Sequence, residues 1–146
     1  MADDHAAQCL SMEQAAGILG VAPAELLRGS EEVPVSPEKR RNHTYRIPPR
    51  HCWIRAAENF AKSISYTVYH YNDPLQARAA WGTMRENFAT VARIVAVAIP
   101  DGEAFRVDDS RFRRTVARRQ GLLLDISRPA DAALQRRIMF LVLKNP

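Results

Sequence analysis

The chain has 146 residues, 47% hydrophobic and 25% charged, with a formal net charge of +5. This composition supports a buried core and excludes a wholly disordered chain, and nine Pro and six Gly exclude a collagen-like or low-complexity protein. No apolar run approaches the roughly 18 residues that a membrane-spanning helix needs. The acidic start Met1-Ala2-Asp3-Asp4-His5 has no apolar stretch behind it, so a secretory signal is not expected. Cys9 and Cys52 make no disulfide framework. They read as two isolated thiols of a reducing cytosol, which makes the expected location cytoplasmic.

Charge is unevenly spread. Residues 1–32 hold six acids and one base, Arg28, for a net −5, whereas residues 33–146 hold 20 bases and ten acids, for +10. Of the 21 bases, 18 are Arg, the residue suited to bidentate contact with carboxylates and phosphates. A basic body with an acidic head suits a polyanion or an acidic protein partner.

In chain order, Ser11 and Gln14 form a capping box for a helix at Met12–Leu19, which offers Ala15, Ala16, Ile18 and Leu19 for burial and ends at Gly20. Pro23 opens a second short helix to Arg28, closed by Gly29. Residues 31–49, with Pro34, Pro37, Pro48, Pro49 and the run Glu38-Lys39-Arg40-Arg41, read as a Pro-rich basic connector. Trp53, Ala57, Phe60, Ile64, Val68 and Tyr71 recur at helical spacing and predict a helix over 50–71; Ser63–Tyr71 is β-rich, which leaves a strand open for its last two turns. Asp73 caps the next helix and Pro74 starts it. Ala77, Trp81, Met84, Phe88, Val91, Val95 and Ile99 carry it over 74–99. Two long helices joined by so short a turn fold back as an antiparallel hairpin. A basic helix is predicted over 110–119, then a strand at Leu122–Ile126, a loop, and a second apolar strand at Ile138–Leu143.

The expected fold is therefore mainly α (α+β), in three segments. An acidic helix pair spans 1–30 and a Pro-rich basic connector spans 31–49. Residues 50–146 form a long helical hairpin followed by a small basic helix and a β-hairpin. A homodimer is one way to cover Ile138–Leu143.

Ala16, Gly20, Val21 and Leu26 are spaced as in a helix-turn-helix, and residues 12–29 resemble those of Cro-like and excisionase-like regulators. The resemblance implies a DNA-contacting second helix with Arg28 as its base. A second candidate contact is the predicted basic helix, where Arg111, Arg114 and Arg118 share a face flanked by Arg113 and Arg119 to make a phosphate-binding ridge. A third is the basic stretch from Lys39 to Arg46, in which Arg40 and Arg41 meet phosphates and Tyr45 offers a ring for stacking. The histidines His5, His43, His51 and His70 match no metal-ligand spacing, no Gly-rich phosphate loop is present, and no cofactor is expected. Together these features predict a non-enzymatic nucleic-acid-binding protein, a transcriptional regulator or mobile-DNA accessory factor with DNA as partner and no membrane contact. The alternative is an adaptor or inhibitor that docks an acidic protein. The third reading is a metal-independent ribonuclease using His43, His51 and Arg50.

Overall fold

A single antiparallel sheet organises the chain. The computed structural model describes residues 9–109 and 111–144. In order they form α1 (Met12–Leu19), a 3-10 turn (Pro23–Glu25), β1 (Leu26–Glu32), α2 (Pro37–Arg41), β2 (Tyr45–Ala56), β3 (Ser63–Tyr71), α3 (Pro74–Ala89), β4 (Arg93–Val97), β5 (Gly102–Asp108), β6 (Arg113–Arg119), β7 (Leu122–Arg128) and α4 (Ala132–Lys144). The seven strands lie in the order β1-β2-β3-β7-β6-β5-β4, and every neighbouring pair is antiparallel. The segment boundaries expected at 30/31 and 49/50 fall inside β1 and β2. Among the described residues no helix is long and apolar enough to cross a membrane.

This corrects the mainly helical expectation. Cys52, Ile54 and Ala56 on β2 are buried at every second residue, as are Ile64, Tyr66, Val68 and His70 on β3. That period of two belongs to a half-covered strand. The helical spacing read over 50–71 drew residues from both faces and from the hairpin loop, where Phe60 is 67% exposed. The helix expected over 74–99 starts as predicted, with the Asp73 side chain accepting from the Leu75 N–H and Pro74 in the first turn, but ends at Ala89. Val95 belongs to β4. The helical hairpin expected over 50–99 does not form.

At the C-terminus the assignments reverse. The basic helix predicted over 110–119 is β6 from Arg113 onward, while residue 110 itself lies outside the described residues. Leu122–Ile126 is a strand, within β7. The apolar run Ile138–Leu143 lies in α4, which buries Gln135, Ile138, Met139, Val142 and Leu143. Those positions lie three or one apart, which is one face of a helix. The second helix of the expected N-terminal pair is one 3-10 turn that runs into β1, so Arg28 lies on a strand.

Two cores form, one on each face. On the first, α1 and α4 cover Leu26, Cys52, Ile54, Ile64, Tyr66, Val68, Leu124 and Ile126. α1 has the expected capping box, and Gly20 closes it at φ 69°, a left-handed conformation that glycine adopts without a Cβ clash. The entry to α1 is tied down three times. Cys9 is disulfide-bonded to Cys52, so the expected free thiols do not exist. The Tyr66 hydroxyl accepts from the Leu10 N–H at 2.8 Å, and Arg28 donates to the Leu10 carbonyl at 3.3 Å. α4 is anchored by Gln135, which is fully buried. Its amide donates to the Arg113 and Pro129 carbonyls at 2.9 and 2.8 Å and accepts from Thr115 Oγ1 at 2.6 Å.

On the second face α3 packs on β3, β4, β6 and β7 and places Trp81, Met84 and Phe88 against Phe105, Val107, Val116 and Leu123. Over β1 and β2 the same face carries His51, Trp53 and Arg55, whose strand neighbours are Thr67, Ser65 and Ser63.

Candidate functional site

The β1–β2 connection builds the largest concavity described. Ser36 caps α2 by accepting from the Lys39 N–H, and Pro37 fits its first turn. After one short helix the chain reverses at His43, whose φ of 49° is left-handed. The Thr44 N–H donates to the Lys39 carbonyl at 3.1 Å, and the Asn72 N–H donates to Thr44 at 3.1 Å, which ties the loop to the end of β3. Pro48 and Pro49 cannot donate to a ladder, and the β2–β3 register shifts between Tyr45 and Ile47 and between Ile47 and Arg50. The irregular strand and the looped α2 leave a pocket of about 680 Å³ between them. Its size is within the usual range for small-ligand sites.

Its walls are largely apolar, from Val33, Pro34, Val35, Ile47 and Pro48, and its charged groups are mostly cationic. Lys39, Arg40, His43 and Arg46 surround it, with Tyr45 among them, and Glu32 is its one carboxylate. Glu32 is also 3.7 Å from Arg50. Lys39, Arg40 and Arg46 make no ion pair among the described residues. Lys39 lies 3.5 Å from the Tyr45 hydroxyl and 5.8 Å from its ring centroid, and Arg46 Nη2 lies 3.2 Å from His70 Nδ1. Tyr45 is held by Tyr71 and Tyr69, at centroid separations of 4.9 and 6.1 Å. Burial, followed by the neighbouring Tyr45, pushes the Tyr71 hydroxyl above the usual phenol range, so it stays protonated at neutral pH.

The arginines expected to form a phosphate ridge are arranged otherwise. Successive strand residues face opposite sides, so Arg114 and Arg118 point toward the α3 face and Arg113 and Arg119 toward α4. Arg111 precedes β6. Each is matched to a carboxylate: Arg111 to Asp109 at 3.2 Å, Arg113 to Asp108 at 3.1 Å, Arg118 to Glu103 at 3.1 Å and Arg119 to Asp101 at 3.9 Å. Arg114 forks onto the buried Asp125, with its Nε 3.1 Å from Oδ1, and lies 5.0 Å from the Phe88 centroid. Arg114 and Arg118 are held against their partners on the sheet, whereas Arg111 and the Arg119–Asp101 pair stay exposed. Of the other candidates, Arg40 lines the pocket, Arg41 is exposed on α2 outside its lining, and Arg28 serves α1.

The Asp108 pairing has a measurable consequence. Its hydrogen bond from Arg106, then that from Arg113, holds its carboxyl below the usual carboxylate range. A depressed folded value contributes stability that is complete above about pH 4 and lost as pH falls through the folded value. Asp108→Asn is expected to narrow the difference in unfolding free energy between neutral pH and about pH 3, read by urea denaturation at both.

The remaining histidines do not assemble a ribonuclease site. His43 lines the pocket, whereas His51 lies on the second sheet face, its Nδ1 3.1 Å from Thr67 Oγ1 and its Nε2 3.2 Å from Ser65 Oγ. Arg50 is engaged with Ser30 at 2.9 Å. The Ser65–His51 contact has the form of a nucleophile and base. Both residues sit in mid-strand, where backbone N–H groups serve the ladder, so no pair of amides is presented to a developing oxyanion. His5 lies outside the described residues. Among the described residues no group of three His, Cys, Asp or Glu is placed to hold a metal ion.

No protein-family model matches the chain, and no curated protein matches it. Solved structures similar to it include the extracellular domain of PknH from Mycobacterium tuberculosis, with a TM-score of 0.62 over 99% of this chain and 97% of that one. They also include a GTP binding regulator from Thermotoga maritima, with a TM-score of 0.51 over 88% and 84%. Identity is 11% in both cases, so the likeness is one of fold. The fold shared with them is built on a sheet, which overturns the reading of this chain as a helical, helix-turn-helix DNA-binding protein.

Proposed function

We propose that this chain is a binding domain for a small polyanionic ligand, held in the pocket between α2 and the start of β2, and that it works outside the cytoplasm. One observation carries the ligand class: Lys39, Arg40 and Arg46, none of them in an ion pair among the described residues, line one pocket with a single carboxylate, while the arginines of β6 are matched to acids. Guanidinium forks suit phosphate and carboxylate groups, and the Tyr45 ring offers a flat surface to an attached organic group. The Cys9–Cys52 disulfide supports the location, because such bonds persist in oxidising compartments. The extracellular placement of the similar PknH domain agrees with it. A phosphate-bearing ligand is also of the class named for the similar GTP binding regulator.

Calorimetric titration with inorganic pyrophosphate and with citrate tests this reading. Saturable, salt-sensitive binding is expected. Arg40→Ala and Arg46→Ala should each weaken it about tenfold, the loss of one charge-assisted hydrogen bond. Arg137→Ala on α4 should leave it unchanged. Equal weakening by all three substitutions would reduce the effect to net charge and defeat the proposal.

A further inference from the structure

The uncovered end of the second sheet face holds a separate groove of about 400 Å³, lined by Trp53, Arg55, Phe60, Ser65 and Arg128 among others. Gly29 on β1 pairs with Trp53, and a Cβ there would collide with the indole, so the ring lies down on the sheet across the glycine. Phe60, 67% exposed, stands over the same region from the β2–β3 loop. The Arg55 guanidinium lies between the rings, 4.4 Å from the Phe60 centroid and 6.0 Å from that of Trp53. Arg128 is the strand neighbour of Ser65 on the opposite side. Neither Arg55 nor Arg128 makes an ion pair among the described residues, unlike the arginines of β6.

Two unmatched guanidinium groups beside two aromatic rings define the chemistry of an occupant. The forks call for a carboxylate or sulfonate. The rings call for a flat apolar body, which would remove exposed aromatic surface from water. A small polyanion is poorly suited, because further charges would be desolvated against Trp53 and Phe60. The groove shares no lining residue with the pocket beside α2. We propose that it binds a small amphiphilic monoanion, one carboxylate or sulfonate carried on a flat apolar body.

The test uses anilinonaphthalene sulfonate as probe, with its own fluorescence and the quenching of Trp53 as readouts. Saturable binding is expected, with no displacement by pyrophosphate and with quenching reduced in Trp53→Phe to the part that Trp81 contributes. Phe60→Ala should weaken binding about tenfold, and the Arg55→Ala, Arg128→Ala double variant about a hundredfold, one factor of ten per lost fork. The uncharged analogue phenylnaphthylamine should bind the wild type weakly and be insensitive to the double variant. Near-UV circular dichroism monitors the fold. If the double variant loses its native signal, Arg128→Lys replaces it and should weaken binding several-fold by removing the fork while keeping the charge. Equal affinity of the sulfonate for wild type and arginine variants, or equal binding of the uncharged analogue to the wild type, would overturn the proposal. Displacement by pyrophosphate would assign the probe to the other pocket and overturn it as well.

Discussion

Replacing Cys9 and Cys52 by Ser is expected to cost about 4 kcal/mol of stability and to lower the midpoint of thermal unfolding by roughly 10 °C. The bond joins residues 43 apart in sequence, so it closes a long loop in the unfolded chain. On the chain-entropy account, the bond removes freedom from the unfolded state that the reduced protein regains. The native side adds to this. Cys52 is fully buried in the first core, and Cys9 adjoins Leu10, whose N–H and carbonyl are both engaged by the sheet. Freeing Cys9 loosens that attachment, and α1 begins two residues beyond Leu10. Denaturation of the wild type with and without reductant, beside the double variant, measures the effect. Two titratable thiols in the folded, unreduced wild type would contradict the bond and remove the main support for a location outside the cytoplasm.

Phe105→Ala is expected to cost about 3–5 kcal/mol, as the loss of a fully enclosed aromatic ring usually does. Phe105 is completely buried on β5, with its ring 5.5 Å from the Trp81 centroid and 6.2 Å from that of Phe88. Both partners belong to α3, so the ring links that helix to β5. Trp81 also donates its indole N–H to the Val116 carbonyl at 3.1 Å. Loosening of α3 should therefore appear as a red shift of Trp81 emission before global unfolding. A cost below about 1 kcal/mol would mean that α3 does not enclose this ring.

Features set by a few adjacent residues were legible in the sequence. Ser11 with Gln14, Gly20, and Asp73 with Pro74 specify helix ends through bonds no more than five residues long, and the structure forms each of them. Leu122–Ile126 was legible as a strand because it is short and apolar. The 50–71 region misled because Trp53 on the open sheet face and Phe60 in the hairpin loop fall by chance at helical spacing with Ile64 and Val68, which hid the alternation of the inward set Cys52, Ile54 and Ala56 with His51, Trp53 and Arg55. Residues 110–119 misled because arginines at three- and four-residue spacing resemble a helix face. Their partners, Glu103 and Asp125, come from neighbouring strands and appear only once the sheet is assembled. Ile138–Leu143 was read without Gln135, the one polar residue of its buried face.

The site shows the same division. The cations and Tyr45 of residues 39–46 were legible as a basic stretch with an aromatic. The enclosing pocket was not, since it needs β1 paired to β2 and a strand bent at Pro48 and Pro49. The disulfide needs the same assembly, because Cys9 ahead of α1 meets Cys52 only on the folded sheet.

A two-dimensional amide NMR titration of the oxidised protein with inorganic pyrophosphate tests whether the pocket beside α2 is the anion site. Progressive, saturable shifts of Lys39, Arg40, His43, Tyr45 and Arg46 are expected, with the amides of Arg113–Arg119 unmoved. Shifts along β6 with residues 39–46 silent would return the binding surface to the strand arginines and rule out the pocket beside α2.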